Sequence, residues 1–281
     1  MQRKQGLPLR VISVRLSSNI PGKHPVNIKK EKRSGNVNAS RLEIKTSEEE
    51  RLLGRPRGRY ITLEFPDISF EDPENLREII RDELEYLLPE RDGLILAVGL
   101  GNTEITPDAL GPAVARGIFA TRHIPKELTK AAGLDLLRQV SVITPGVLGQ
   151  TGIEAGELIK AAAEKIKPDA VIVIDALAAQ SGDRLFKTVQ LCDTGISPGA
   201  GVGNDRPALN REYMGVPVIA LGVPMVVDSS TLVTDMLEMA GVDPLPEGLE
   251  PVLKNGRSFF VSLKEADAAL EALTDLLAEG I

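Results

Sequence analysis

The sequence predicts an α/β fold in three layers, with a mostly parallel sheet covered by helices on both faces. Short apolar segments alternate along the chain with amphipathic segments of helical length, which is the pattern of strand–helix–strand units. Several of these segments are unbroken apolar runs, as expected of parallel strands that are buried on both faces. Aromatic residues make up 3% of the chain and Trp is absent, so aliphatic side chains and alanine must fill the core.

The apolar segments predict six strands. One of them, 187–192, is predicted to be an antiparallel or edge strand, because a glycine-rich loop rather than a helix follows it. The other five strands are predicted at 60–65, 94–100, 140–144, 170–175 and 216–221.

The helix predictions rest on capping signals. Asp72 followed by Pro73 marks the start of a helix that runs to residue 88. Thr151, with Glu154 three residues later, is a capping box for a helix over 152–166. Further helices are predicted at 109–124, 229–240 and 264–280.

Composition suggests one boundary, near residue 60. Residues 1–59 mix Gly, Pro, Asn and Ser with charge and predict a loosely structured basic arm, with a strand near Leu9–Leu16. This arm holds 15 lysine and arginine residues against 5 acidic ones, whereas residues 60–281 hold 18 against 35. We therefore expect an α/β domain over 60–281. The arm could cover the crevice of this domain, bring it to DNA-bound substrate, or be only a solvated tail.

Several classes of protein are disfavoured. The single cysteine, Cys192, rules out an internal disulfide and a cysteine-rich metal cluster, and its place at the end of an apolar strand predicts a core residue. His24 lies in the basic arm and His123 lies at the end of a predicted helix. Two histidines so placed disfavour a histidine triad or a zinc site. Glu104 stands where a dinucleotide fingerprint needs its third glycine. The chain shows no signal peptide and no membrane span, so we expect a cytoplasmic protein.

Two acidic residues are the main candidates for chemistry. Asp108 follows strand 94–100 in the first turn of a helix, and Asp175 ends strand 170–175. Asp108 could simply complement the helix dipole, and Asp175 could simply cap a following helix. However, the carboxyl ends of neighbouring parallel strands face one crevice, where two carboxylates can share a proton and activate a water molecule.

Five long segments, in order and spacing, resemble the germination protease family of endospore-forming bacteria. They are VGLGNTEITPDALGP, TPGVLGQTGIE, KPDAVIVIDALAAQS, CDTGISPGAGVGNDR and GVPVIALGVPMVVD. The resemblance implies a cytosolic endopeptidase, classed as an atypical aspartic peptidase, that degrades small acid-soluble spore proteins when germination begins. It also implies synthesis as a zymogen shortened at its N-terminus, assembly as a homotetramer, and a fold similar to the hydrogenase-maturation peptidases.

The resemblance places the two family aspartates on Asp108 and Asp175. In the hydrogenase-maturation relatives corresponding acids and a histidine hold a metal, but no histidine is suitably placed in this sequence, so we expect no metal and no cofactor. We expect water to be activated between these acids, with Asp108 as the base. The surrounding loops are expected to bind substrate or the developing oxyanion through Gly99, Gly101, Asn102, Gly146, Gly149 and Glu154. Two alternatives stay open: a metal-dependent maturation peptidase, and a catalytically silent binding protein. The basic arm could also contact DNA weakly.

Overall fold

The strands form one mixed sheet. The computed structural model of the protein describes residues 28–66, 72–90, 93–131, 133, 137–198, 207–242, 244, 246, 248–255 and 259–281. In chain order the strands are β1 Ile28–Lys32, β2 Asn38–Ile44, β3 Gly58–Glu64, β4 Ile95–Gly99, β5 Val140–Ile143, β6 Ala170–Ala179, β7 Thr188–Cys192, β8 Val218–Asp228 and β9 Phe260–Val261. Their spatial order is β1-β2-β3-β7-β8-β6-β4-β5, and β9 pairs with β8.

The predicted α/β class is confirmed, and the sheet has two halves. Strands β5, β4, β6 and β8 run parallel to one another, as predicted. Strand β7 pairs antiparallel with β8 and β3, and β2 and β1 continue this antiparallel half. The predicted antiparallel strand is therefore β7, which lies inside the sheet and joins its two halves.

Helices cover both faces of the sheet, which gives the predicted three layers. They are α1 Ser47–Leu53, α2 Pro73–Leu87, α3 Leu110–Gly117, α4 Lys126–Ala131, α5 Leu148–Thr151, α6 Ala155–Ile166, α7 Arg211–Met214, α8 Ser229–Met239, α9 Leu249–Asn255 and α10 Ala266–Gly280. On one face, α2, α3 and α10 pack against the sheet through buried residues such as Ile80 and Leu273. On the other face, α6 packs through Ile159 against Val173.

The boundary predicted near residue 60 is wrong for the described part of the arm. Residues 28–59 form β1, β2, α1 and the start of β3, and β3 spans the predicted boundary. Leu42 and Ile44 of β2 are buried, because every second residue of this strand faces the core. The polar composition of the segment reflects its place near the edge of the sheet, where β1 is mostly exposed and Arg41 of β2 pairs with an acid of α2. The predicted strand near Leu9–Leu16 lies outside the described residues.

Part of the charge asymmetry is explained by ion pairs between the arm and the domain. Glu83 of α2 is fully buried, and its carboxylate accepts hydrogen bonds from Arg33 and Arg41, with Arg41 Nε to Glu83 Oε2 at 2.8 Å. Arg59 donates to Asp193 at 2.7 Å. These arginines of the basic segment therefore hold β1–β3 onto the rest of the domain.

Several predicted element ends differ from the structure. The helix predicted over 109–124 ends at Gly117, because the chain then turns so that Thr121 can hydrogen-bond with Val140 of β5. The predicted capping box is wrong, because Thr151 ends α5 and Glu154 is itself the N-cap residue of α6. Residues 67–71 and most of the glycine-rich loop, 199–206, lie outside the described residues. Within the described residues, no helix is long and apolar enough to span a membrane.

Candidate active site

Close packing between α3 and the sheet fixes the position of Asp108. A Cβ atom on Gly111 of α3 would lie 2.2 Å from the Leu100 carbonyl oxygen and 2.4 Å from that of Ile174. A Cβ atom on Gly99 would lie 2.2 Å from the Gly111 carbonyl oxygen. Only glycine fits at such distances, so the start of α3 lies directly against the ends of β4 and β6.

Asp108 is held by the loop that follows β4. It ends a short 3₁₀ turn, Thr106–Asp108, and its Oδ2 atom accepts a hydrogen bond from the Asn102 backbone N–H at 2.9 Å. The same N–H also donates to the Asp108 carbonyl oxygen at 3.1 Å. Gly101 has φ +124°, and a Cβ atom there would lie 1.9 Å from that carbonyl oxygen. Glycine at 101 is thus required for the loop to close on Asp108.

Asp175 lies within β6 and is 8% exposed. Its neighbour across the sheet is Gly222 of β8, and its Oδ1 atom accepts from the Ala176 backbone N–H at 2.9 Å. Because side chains alternate along a strand, Asp175 points to the same face as Val173, the face covered by α6. The strand continues to Ala179, so the alternative of a helix cap is wrong for Asp175.

Both acids border the point where β4 ends. Leu100, the first residue after β4, donates its N–H to the carbonyl oxygen of Ile174, the residue before Asp175, at 2.9 Å. The turn that carries Asp108 packs against both β6 and β8. Both acids therefore lie near the carboxyl end of β4, Asp175 on β6 and Asp108 in the turn beside β6 and β8.

The residues predicted to bind substrate lie in two loops, one that follows β4 and one that leads into α5. The backbone N–H groups of Leu100 and Asn102 already donate to Ile174 and Asp108, so they do not point to a ligand. Gly146, with φ +74°, precedes α5, and Gly149 lies on α5 with nothing within 4 Å of the place of a Cβ. Glu154 is half-buried at the start of α6.

Gln150 is a member of the site that sequence reasoning missed. Its side-chain Nε2 donates to the Asn102 Oδ1 atom at 2.9 Å, and that oxygen also accepts from the Glu104 backbone N–H at 3.0 Å. Gln150 thereby joins the 146–149 loop to the loop that holds Asp108. Nothing in the local sequence pattern distinguishes this glutamine from a surface residue of a short helix.

Cys192 has the predicted character of a core residue. Its thiol is buried, and burial raises its pKa, which disfavours the nucleophilic thiolate. No three histidine, cysteine or acidic side chains lie together in a metal-binding arrangement among the residues that the structure describes.

The comparisons with known proteins decide the family. The profile of the germination proteases matches residues 17–240. The chain belongs to the germination protease family. It is 44% identical to a germination protease of Clostridium tetani over 85% of this chain and 73% of the relative, and 38% identical to one of Clostridium perfringens strain SM101 over 87% and 83%. A germination protease of Caldanaerobacter subterraneus is 45% identical over 78% and 67%.

Membership in the germination protease family confirms the resemblance found in the sequence and places the chain among the peptidases. Among solved structures, the chain is similar to a NiFe hydrogenase maturation protease from Thermococcus kodakarensis KOD1. That similarity has a TM-score of 0.35 at 19% identity and covers 69% of this chain and 98% of the other.

Proposed function

We propose that this germination protease is an endopeptidase of the aspartic type that begins the degradation of small acid-soluble spore proteins during spore germination. The observation that carries the proposal is the placement of Asp108 and Asp175 near the end of β4, in a turn that packs against β6 and on β6 itself. Its relatives are named germination proteases, and a peptidase of such a family needs a group that activates water.

In the proposed mechanism the two acids have different tasks. The hydrogen bond from the Asn102 N–H favours the ionised form of Asp108, which makes this carboxylate the base. It accepts a proton from water while the water oxygen attacks the carbonyl carbon of the scissile peptide bond. Asp175, which is buried in β6, is assigned the role of the acid and donates its proton to the carbonyl oxygen. On collapse of the tetrahedral intermediate the C–N bond breaks, the proton held by Asp108 passes to the leaving nitrogen, and one hydroxyl proton of the intermediate returns to Asp175.

Backbone donors near the acids would support the carbonyl oxygen as it gains charge. Leu100 and Asn102 donate within the protein, so we assign this role to Gly101 and to the loop from Gly146 to Gly149. The hydrogen bond between Gln150 and Asn102 would keep this second loop beside Asp108. Glu154 follows in the same segment and is assigned to substrate contact.

The remaining properties of the proposal concern regulation and assembly. A zymogen segment would have to end before Ile28, because β1 and β2 belong to the sheet. We also propose a homotetramer in the cytoplasm of the forespore.

Weak contact of the arm with DNA would depend on the exposed lysines of β1, which are Lys29, Lys30 and Lys32. The arginines of this segment are already engaged: Arg33 and Arg41 form ion pairs with Glu83, and Arg59 forms one with Asp193. Retention on DNA should then fall steeply with salt.

The test is to incubate the purified protein with a small acid-soluble spore protein and to identify fragments by mass spectrometry. We expect cleavage at a small number of positions, unchanged by a chelator. Loss of cleavage with the chelator, and its recovery with added metal, would favour a metal-dependent maturation peptidase. Tight association without any fragment would favour a binding protein that has lost catalysis.

A further inference from the structure

Strand β6 continues beyond its neighbour β4 and leaves one side of the strand open. The last pair between them joins Gly99 to Ile174, whereas β6 runs on to Ala179 while still paired with β8. The exposure of β6 changes at the same place. Residues from Ala170 to Asp175 are buried, and the next three, Ala176, Leu177 and Ala178, are partly exposed. We call this open side, from Asp175 to Ala179, the β6 edge.

Strand alternation shows which backbone groups face the β6 edge. Ile174 accepts from Leu100 and so faces β4, and every second residue after it faces the same side, which gives Ala176 and Ala178. The irregularity in the β6–β8 pairing does not change this alternation, because the extra residue, Met225, lies on β8. The Ala176 N–H donates to Asp175, whereas its carbonyl oxygen and the Ala178 N–H face the open side.

The loop that follows β4 does not close the β6 edge. Within the described residues, no backbone hydrogen bond joins Ala176 or Ala178 to the 100–108 segment. The turn carrying Asp108 instead packs against β6 and β8. The edge thus begins at one proposed catalytic acid and continues beside the element that carries the other.

We propose that the β6 edge binds the main chain of the substrate, which adds to the sheet as an extended strand in the place that β4 leaves. This inference rests on the peptidase activity proposed above. A residue of a peptide running parallel to β6 can donate its N–H to the Ala176 carbonyl oxygen and accept from the Ala178 N–H, as in any parallel ladder. The small side chains at both positions allow a second chain to approach. The occupant is an extended, unfolded polypeptide segment, because a folded one offers no free strand.

The first test uses proline, which removes a backbone N–H and fills the space beside it. Ala178→Pro should raise KM by about tenfold or more, as expected for the loss of one well-placed hydrogen bond and of strand approach. Val142→Pro is the matched control, because Val142 faces the outer side of β5, as Val140 does, and β5 is the last strand of the sheet. It should leave KM unchanged. A raised KM in Val142→Pro, with an unchanged KM in Ala178→Pro, would place the substrate on β5 and overturn the proposal.

The second test leaves the enzyme untouched. Peptides spanning a cleavage site found by mass spectrometry are N-methylated at one backbone nitrogen at a time. We expect one or two positions next to the cleaved bond at which methylation raises KM by about tenfold. Equal cleavage of every methylated peptide would overturn the proposal, even if Ala178→Pro does not fold. A change in oligomeric state in Ala178→Pro, with KM unchanged, would assign the β6 edge to a second copy of the chain and also overturn it.

A binding measurement separates this inference from the proposed catalysis. A fluorescein-labelled small acid-soluble spore protein is titrated with the Asp108→Asn protein, with and without Ala178→Pro, and followed by anisotropy. Binding that Ala178→Pro weakens by about tenfold supports the β6 edge, even if the unaltered enzyme cuts nothing. Binding that is unaffected overturns the β6 edge, even if the enzyme cuts normally.

Discussion

At the scale of single residues, the site depends on backbone positions as much as on the acids. Asp108 and Asp175 were proposed from sequence because each lies at or after the end of an apolar run, and the carboxyl ends of parallel strands converge. The hydrogen bond between Gln150 and Asn102 could not be found in this way, because it joins residues 48 positions apart. Likewise, the occupied N–H groups of Leu100 and Asn102 are set by loop closure, which no pattern in the sequence reports.

Gly101 is predicted to be the most sensitive glycine of the site. Gly101→Ala should lower kcat/KM by about a hundredfold or more, because φ is +124° and the new Cβ would meet the Asp108 carbonyl oxygen at 1.9 Å. Gly182→Ala is the control, since a Cβ atom there would meet only the end of the Leu232 side chain, at 3.5 Å. Peptidase assays and melting temperatures of both variants check this. Equal activities would show that the loop does not position Asp108.

Tyr60 is predicted to make the protein labile at alkaline pH. Burial raises the pKa of Tyr60 from 10.0 to about 12. The stabilisation that neutral Tyr60 gives the folded protein is complete below about pH 10. This stabilisation is lost between about pH 10 and 12, because Tyr60 ionises first in the unfolded chain, and the loss approaches about 2–3 kcal/mol. In Tyr60→Phe, the free energy of unfolding from urea titrations should fall less over this range. Identical pH profiles for the two proteins would exclude Tyr60 as the cause.

At the scale of elements, sequence placed the apolar strands correctly. Strands β4, β5 and the first part of β6 are apolar runs, and the structure confirms them. The strand predicted at 216–221 is longer in the structure, where β8 runs from Val218 to Asp228. It continues to Asp228 because Pro224 lies at the irregularity in the pairing with β6, where its missing N–H is tolerated. Strands β1 and β2 were missed because they are polar strands beside the edge.

The ion pairs at Glu83 are predicted to fasten α2 to β2. Arg41→Met should lower the free energy of unfolding by about 2–4 kcal/mol, because it leaves the fully buried Glu83 carboxylate with Arg33 alone. The exposed pair between Arg77 and Glu74 provides the control: Glu74→Gln should change stability by less than about 0.5 kcal/mol.

The same cluster allows a second check by chemical denaturation. The double variant Arg41→Met, Glu83→Leu should recover part of the loss, because no buried charge remains to be compensated. A cost for Arg41→Met no larger than that of Glu74→Gln would contradict the role given to the cluster.

At the scale of the whole molecule, the arm and the domain are one folding unit from Ile28 onward. Deletion of residues 1–27 removes none of the contacts described above. Deletion of residues 1–45 removes the buried side chains of Val37, Leu42 and Ile44, each of which contributes about 1.5–3 kcal/mol. That sum is comparable to the net stability of a domain, so the shorter protein should unfold or aggregate. Thermal unfolding of both truncations decides it. A stable 46–281 fragment would restore the boundary near residue 60.

The most direct measurement is the rate at which Asp108→Asn and Asp175→Asn cleave a small acid-soluble spore protein. Asparagine can still accept the hydrogen bonds from the Asn102 and Ala176 N–H groups, so both variants should fold with an unchanged melting temperature. We expect kcat to fall by about a thousandfold or more in each, because a general base or a general acid is lost. Cleavage at the normal rate by either variant would show that water is not activated between these two acids.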